Sequence, residues 1–487
     1  DKLAQCGKLE HVQSVSLGFE EGSIGSVVGF FASLEKFPSL GALAVKAEGN
    51  QITGEHLGQL ADGIGQCSLL TDIKLRLRRN PITGENMARF GEGIERCSEL
   101  NSLTFDFLRN KITGEYLGEF GKHIGRCSKL RCIQFNFDRN QITSEYLGQF
   151  IDGIGHCAKL TSLELHFAGN GITGEYLGQF GDGIGRCAQL TNLRLSLLKN
   201  QIAGGNFQQF SEGIIRCLQL TSLHLNFDRN QITSEHLEQF SQGIRHCSHL
   251  TRLELYFAGN KIRGEHFGDL GESIGRCSQL VSLGLNFKRN KITGENLGLF
   301  GNGIQRCSQL TSAQLDFGGN RIDDFGSLIL VWRLSKQAGG PEDLTLDLRG
   351  NQISRSTAQL LKVMLPSVKI SDAGLAPIAE DDQLDDAEGR LRTSGGRSVE
   401  LQRGNVTTTE LQATSVGCSD SESESGAAQS GELASDAVAQ EEEHVDVRHP
   451  PQTTDVEFGS QYEIANVQSV LVEGPFEGFL EDDEQSC

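Results

Sequence analysis

One asparagine recurs every thirty residues through most of this chain of 487 residues. The series is Asn50, Asn80, Asn110, Asn140, Asn170, Asn200, Asn230, Asn260, Asn290, Asn320 and, one residue late, Asn351. A fixed period of this length is the signature of a repeat protein, in which each unit packs on the units before and after it. The fold of the array therefore follows from the fold of one unit.

The residues before each asparagine have the pattern of a β-strand. In the repeat that contains Asn170, the apolar side chains Leu163, Leu165 and Phe167 alternate with other residues. Alternation with period two indicates a strand with one buried face. We therefore predict one short strand and then a turn in every repeat.

A helix is predicted in the second half of each repeat. Leu177, Phe180, Ile184 and Cys187 are spaced by three, four and three residues, which puts them on one face of a helix. Neighbouring strands lie about 4.8 Å apart, whereas neighbouring helices lie about 8 to 10 Å apart. An array with strands on one side and helices on the other must therefore curve, with the strands on its concave face.

The unit resembles a known repeat family. The pattern Leu163-x-Leu165-x-Phe167-x-x-Asn170-x-Ile172 is similar to the leucine-rich-repeat signature, and it returns at residues 344–353. A helix in every copy makes it similar to the ribonuclease-inhibitor-like subfamily. The resemblance covers roughly residues 10 to 370 and implies an α/β solenoid, a curved horseshoe with parallel strands inside and helices outside.

Three repeated residue types are interpreted as structural. The asparagines would satisfy backbone groups in the turns, and helix glycines such as Gly121 and Gly181 would allow close packing, with frayed helices as the alternative. Nine of the thirteen cysteines share one repeat position and lack the close pairs of a zinc site. We expect buried thiols, no metal, no cofactor and a reducing compartment, which is the cytoplasm or the nucleus.

The charge of the chain is concentrated at one end. Residues 371–487 hold 27 acidic and 5 basic residues, whereas the net charge of the whole chain is −20. We predict a degenerate N-terminal capping repeat at 1–40, repeats at 41–353, a C-terminal cap at 354–371 and a disordered acidic tail at 372–487. The less polar segment 470–480 reads as a short docking motif or as a disordered end with chance aromatics.

Function is expected where the repeats differ. The polar positions of the strands differ from repeat to repeat, while the apolar residues and the asparagines around them stay the same. This variation predicts protein binding on the concave face. The alternative is that exposed positions changed without any functional selection. The residues proposed to contact the partner are Arg76, Asp106, Asn136, Glu164, His166, Arg194, His224, Glu254, Tyr256 and Asp316. No catalytic residue is proposed, because His166 and His224 have no orienting carboxylate apparent in the sequence.

A second surface is predicted from the residue before the asparagine. Basic side chains there would form a broken line along one rim: Arg79, Arg109, Arg139, Lys199, Arg229 and Arg289. The acidic tail could lie on this rim in the same molecule, or the line is an ordinary solvated edge. Nucleic acid is not expected as a partner because the tail would repel phosphate, and no apolar run is long enough to span a membrane.

The sequence thus predicts a non-catalytic scaffold that binds a protein along its concave face and rims. Two alternatives stay open. A horseshoe followed by an acidic tail is similar in layout to the activators of the Ran GTPase, although no loop motif of that family can be matched to a residue here. The repeats could also be a fragment of an immune-type receptor, which would require a nucleotide-binding domain before Asp1.

Overall fold

A computed structural model describes residues 8–370, except 296, 336–340 and 342. The predicted tail, residues 372–487, and the disorder expected for it lie outside the described residues. Within them, thirteen strands form one sheet in chain order, and all neighbours are parallel. The strands are β1 (Ser14–Gly18), β2 (Ala42–Lys46), β3 (Asp72–Arg76), β4 (Ser102–Asp106), β5 (Cys132–Asn136), β6 (Ser162–His166), β7 (Asn192–Ser196), β8 (Ser222–Asn226), β9 (Arg252–Tyr256), β10 (Ser282–Asn286), β11 (Ser312–Asp316), β12 (Asp343–Asp347) and β13 (Val368–Lys369).

A helix follows each strand from β1 to β12 and covers one face of the sheet. The helices are α1 (Ile24–Ser33), α2 (Gly54–Ile64), α3 (Met87–Glu95), α4 (Leu117–Gly125), α5 (Ser144–Ile154), α6 (Leu177–Ile184), α7 (Phe207–Ile215), α8 (Ser234–Ile244), α9 (Phe267–Ile274), α10 (Leu297–Ile304), α11 (Asp324–Ser335) and α12 (Arg355–Met364). Short 3-10 turns lie at Leu34–Lys36, Gly84–Asn86 and Gly114–Tyr116. The predicted order of strand, turn and helix is confirmed.

The core lies between the sheet and the helices. Leu163 of β6 is opposite Leu193 of β7, so equivalent side chains stack from one repeat to the next. A phenylalanine follows several of the strands directly, and these rings form a similar stack, with ring centroids 5.6 Å apart between Phe107 and Phe137 and 5.5 Å apart between Phe137 and Phe167. These side chains are buried. Burial of the same apolar positions in the strands from β2 to β12 fixes their register.

The asparagine of each repeat bonds to its own repeat and to the one before. Asn230 Nδ2 donates to the carbonyls of Leu197 at 2.9 Å and Phe227 at 3.1 Å. Its Oδ1 accepts the N–H of Ile202 at 3.1 Å. The same set of contacts recurs along the array, for example at Asn140, and the predicted structural role is confirmed.

Glycines allow neighbouring helices to approach closely. A Cβ on Gly121 of α4 would lie 2.3 Å from the backbone oxygen of Phe150 in α5, and one on Gly153 would lie 2.3 Å from the carbonyl carbon of Gly121. Since real Cβ atoms do not approach so closely, a side chain would push the two helices apart. The interpretation of these glycines as packing positions is confirmed.

The repeated cysteines are buried, but they lie beyond the helices. Helix α6 ends at Ile184, three residues before Cys187, so the prediction that Cys187 belongs to the helix is wrong. The chain turns inward there, and the thiol of Cys217 in the next repeat donates to the carbonyl of Ile184 at 3.4 Å. Burial raises the pKa of the Cys187 thiol to about 12, which keeps it protonated at neutral pH.

Candidate interaction surface

Three residues that were predicted to contact a partner on the concave face instead form turns at the ends of their own strands. Asp106, Asn136 and Asp316 each end a strand and accept a hydrogen bond from the backbone N–H two residues further on, at 3.2, 2.9 and 2.8 Å. Such a contact is an Asx turn, which short polar side chains favour where a strand turns away. Asp106 and Asn136 are only 2% and 7% exposed. The expectation that these two face a partner is therefore corrected.

Arg76 lies apart from the other candidates. It ends β3, and its Nε is 3.7 Å from Oδ2 of Asp106, which Arg78 also contacts. Burial is the main cause that lowers the pKa of Arg76, with Arg78 adding to it. Arg76 therefore belongs to a local ion pair at the end of β3 and β4.

Glu164, His166 and Arg194 form the first half of a cluster on β6 and β7. His166 Nε2 lies 2.8 Å from Glu164 Oε1, and Arg194 Nε lies 3.6 Å from the same oxygen. Burial opposes ionisation of Glu164, but the hydrogen bond from His166 and the positive charges nearby lower its pKa overall. The carboxylate therefore stays ionised beside two groups that can carry positive charge.

The second half lies on β8 and β9. His224 Nδ1 is 2.5 Å from Glu254 Oε2, and Arg252 Nη2 is 2.5 Å from Glu254 Oε1. The hydrogen bond with His224 is the largest cause that lowers the pKa of Glu254, to about 2; burial opposes it and Arg252 reinforces it. The ring of Tyr256 lies 5.0 Å from that of His224, and burial raises the pKa of Tyr256.

Six of the predicted residues thus come together with a seventh, Arg252, that was not predicted. We call this set the central concave cluster: Glu164, His166, Arg194, His224, Arg252, Glu254 and Tyr256. The sequence did hold a signal for Arg252. Serine occupies the equivalent position in strands such as β8 and β10, so an arginine there departs from the pattern. The expectation that His166 and His224 lack a carboxylate partner was wrong, since each is paired with a glutamate.

The cluster borders a shallow depression of about 130 Å³, lined among others by Glu164, Arg194, His224 and Glu254. This volume is well below the roughly 300 to 1,000 Å³ of small-molecule sites. Arg194 and Arg252 keep 44% and 57% of their side-chain surface exposed. The shape suits contact with protruding side chains better than enclosure of a small molecule.

The predicted basic rim has an unusual backbone. Its six residues all have a left-handed conformation, with φ between 53° and 56°. In this conformation the N–H of Arg229, for example, donates to the carbonyl of Ala258 in the next repeat at 2.7 Å. A left-handed backbone costs about 1 kcal/mol or more for a residue with a Cβ. The turn therefore favours glycine, yet arginine or lysine occupies the position.

The remaining repeats show that glycine suits this left-handed position. In the eleven equivalent positions with described backbone, the residues that are not basic are all glycine: Gly49, Gly169, Gly259, Gly319 and Gly350. Asparagine and aspartate tolerate the left-handed region best after glycine, but neither is found there. Conformation alone therefore does not explain the choice of residue at the rim.

Another group of polar side chains lies on the helical side. Ligand atoms of Glu238, His266 and Asp269 are within 4.8 Å of one another. His266 directs Nε2 to Glu238 at 3.5 Å and Nδ1 to Asp269 at 3.1 Å. Because opposite ring nitrogens face the two acids, the arrangement is that of an imidazole between two carboxylates rather than three ligands around one ion.

Comparison with known proteins gives only distant likenesses. No protein-family model and no curated protein matches the chain. Among solved structures, the chain is similar to an internalin of Listeria monocytogenes, with a TM-score of 0.47, 16% identity and coverage of 75% of this chain and 88% of that one. It is also similar to a leucine-rich-repeat protein of Leptospira interrogans, with a TM-score of 0.38, 17% identity and coverage of 74% and 90%.

The decisive observation is the parallel sheet with one Leu-x-Leu strand and one asparagine turn per repeat. The chain has the leucine-rich-repeat fold. In this solenoid the strands line the concave face, so the central concave cluster lies on four consecutive strands of that face, β6 to β9. No helix in the described part of the chain is long and apolar enough to cross a membrane.

Proposed function

We propose that this protein is a non-catalytic scaffold that binds a protein partner along the concave face and rims of its leucine-rich-repeat solenoid. The central concave cluster carries the proposal. Its charged side chains alternate with the buried apolar side chains of the same strands. They also hold one another in place before any partner binds. Such preorganisation lowers the entropy lost on binding.

The electrostatics of the cluster favour contact with a polar protein surface. Glu164 and Glu254 each have a basic neighbour, while Arg194 and Arg252 stay partly exposed. Tyr256 adds an aromatic surface next to these charges. Tyrosine and arginine are the residue types that most often dominate binding energy in interfaces. A partner with an acidic side chain at its centre would meet both arginines.

The histidine–glutamate pairs do not favour an enzyme. Glu254 has a pKa of about 2, so it is a weak base near neutral pH. Arg252 holds one of its oxygens and His224 the other. The depression between them is also small for a substrate. These features support a binding role for the pairs.

The basic rim extends the proposed interface. A residue that keeps a costly backbone conformation in many repeats is a reason to propose a function. We propose that the rim binds an acidic segment of the partner. The chain's own acidic tail is the other candidate, and that contact stays a prediction because the tail lies outside the described residues.

Three further assignments belong to the same proposal. The repeat length and the helix in every repeat support the ribonuclease-inhibitor-like subfamily. The buried, protonated thiols support a reducing compartment, the cytoplasm or the nucleus. The division into an N-terminal cap at 1–40, repeats at 41–353, a C-terminal cap at 354–371 and a tail at 372–487 is proposed from the sequence.

Affinity capture with the full chain tests the function. We expect one or more proteins to be retained reproducibly and to bind again after purification, with micromolar or tighter affinity typical of specific complexes. Single-turnover GTP hydrolysis by a Ran-like GTPase, with and without the chain, tests the alternative. Acceleration of hydrolysis would contradict the scaffold proposal, and so would failure of every captured protein to bind in purified form.

A further inference from the structure

The outer surface of the helices changes character near the C-terminal end of the array. One outward position per repeat is polar in the first eight repeats that contain the asparagine, from Gln59 to Asp269. The same position then holds Leu299, Ile329 and Leu360 on α10, α11 and α12. Leu299 and Leu360 are 57% and 48% exposed. An exposed apolar column therefore replaces a polar one.

A second column changes in the same place. Its members are charged or amide residues from Asp62 to Asn302, and then Trp332 and Val363, which are 43% and 79% exposed. Phe325 is 70% exposed, where most of the other repeats have glutamate. We call Leu299, Phe325, Ile329, Trp332, Leu360 and Val363 the C-terminal apolar patch.

The columns lie side by side on packed helices. Ile329 of α11 packs on α10, since its Cγ2 lies 2.6 Å from where a Cβ of Gly298 would stand. Asp324 at the start of α11 accepts the N–H of Ser354 before α12 at 2.6 Å. Contiguous exposed apolar surface of this kind usually marks a binding site. The earlier repeats show that the fold itself does not require it.

The patch also carries positive charge. The guanidinium carbon of Arg333 lies 4.5 Å from the centre of the Trp332 ring. Arg333 is only partly buried, so its positive charge is accessible beside the exposed indole. A ligand that combines apolar side chains with a carboxylate would therefore match the patch.

We propose that residues 468–480 of the same chain dock on the C-terminal apolar patch. This segment contains Val470, Leu471, Val472, Phe476, Phe479 and Leu480, and it also carries Glu473 and Glu477. It is the longest apolar stretch in an otherwise polar tail, and its two glutamates are opposite in charge to Arg333.

The length of chain between the array and this segment makes the contact feasible. The described chain ends at Ile370, directly after β13 and six residues beyond the end of α12, on which part of the patch lies. About 100 residues separate that point from the segment, and a flexible chain of this length spans roughly 50 to 60 Å on average. Tethering at such a distance gives an effective concentration of up to about millimolar. Weak contacts suffice under these conditions.

Trp332 reports on the patch directly, because it is the only tryptophan in the chain. We would measure acrylamide quenching of its fluorescence in the full-length protein and in the double variant Phe476→Ser/Phe479→Ser. Both substitutions lie outside the array, so its stability is not at risk. The matched control is Phe458→Ser/Tyr462→Ser, which removes two aromatic side chains elsewhere in the tail.

We expect the quenching constant to rise about twofold in the Phe476/Phe479 variant, because a docked aromatic segment covers much of the exposed indole. The control variant should behave like the parent. Leu299→Gln, which restores the residue type of earlier repeats, should also raise the quenching constant. Equal quenching in all four proteins, or an equal rise in the control, would overturn the proposal. Protection that grows with protein concentration would also overturn it, since a second copy would then be the occupant.

Discussion

Replacement of Asn230 by alanine tests the contact that joins the repeats. The Asn230 side chain is 6% exposed and lies in the middle of the array. The variant would remove the acceptor of the Ile202 N–H and the donor to the carbonyls of Leu197 and Phe227. These backbone groups are buried and have no easy route to water.

The expected cost follows from these three contacts. A buried N–H that loses its acceptor costs about 1 to 3 kcal/mol, and each lost neutral hydrogen bond about 1 kcal/mol. Water that enters the space left by the amide offsets part of the loss. We therefore expect Asn230→Ala to lower the free energy of unfolding by about 2 to 4 kcal/mol.

Urea unfolding followed by circular dichroism would measure this change. Hydrogen exchange at the Ile202 amide would show whether the loss is local, since repeat arrays can open in parts. The control is Gln231→Ala at the neighbouring position, where the exposed side chain accepts a hydrogen bond from Lys261 Nζ at 3.1 Å. It should change stability by less than about 0.5 kcal/mol. If Asn230→Ala unfolds like this control, the asparagines do not stabilise the array as described.

Three further predictions concern single sites. Gly121→Ala should lower the free energy of unfolding by about 1 to 3 kcal/mol or more, because the added Cβ meets the backbone of the next helix. Gly171 has open space around it, so Gly171→Ala should leave the free energy of unfolding nearly unchanged in the same urea assay. Arg229→Gly should leave the unfolding midpoint unchanged or raise it, because relief of about 1 kcal/mol of left-handed strain offsets the greater freedom of glycine when unfolded; a clear loss of stability would contradict the strain. Burial raises the pKa of Asp228 to about 6, above its unfolded value, so its contribution to stability is complete at low pH and is lost as the pH rises through 6. Asp228→Asn should flatten stability between about pH 4 and 6 in a pH series of unfolding curves, and an unchanged slope would refute the shift.

The repeated features were predictable because each copy repeats the same physical evidence. Alternation at Leu163 and Leu165 and the period of the asparagines determine the strand, its buried face and the parallel stacking. The end of each helix was harder to predict. Cys187 continues the apolar spacing of α6, but the chain leaves the helix after Ile184 and reaches the same buried side by a turn.

The candidate site was predictable only in part, because a polar side chain on a strand can either face a partner or bond to the backbone of the turn that follows. Asp106 and Asn136 have the alternation of exposed residues, yet they bond to the backbone two residues ahead. Only the turn that follows distinguishes this use from binding. The pairing of His224 with Glu254 joins residues thirty positions apart, so it required the register of the sheet.

The left-handed backbone at the rim was hidden for a similar reason. Arg229 by itself gives no sign of a positive φ. The sign is in the comparison with Gly169 and Gly259 at the same position of other repeats. Such alternation of glycine with one other residue type is a useful signal for strained positions in any repeat protein.

Binding of a purified partner by a variant of the central concave cluster tests the proposed function most directly. Glu254→Ala combined with His224→Ala removes both members of a pair, so no charge is left buried alone. The control, Glu272→Ala combined with Arg276→Ala, removes an exposed pair on the helical side, 3.0 Å apart. By calorimetry we expect the concave variant to bind about 30-fold more weakly, the effect of a central interface residue, and the control to bind like the parent. Equal affinity for all three proteins would contradict recognition through the concave face.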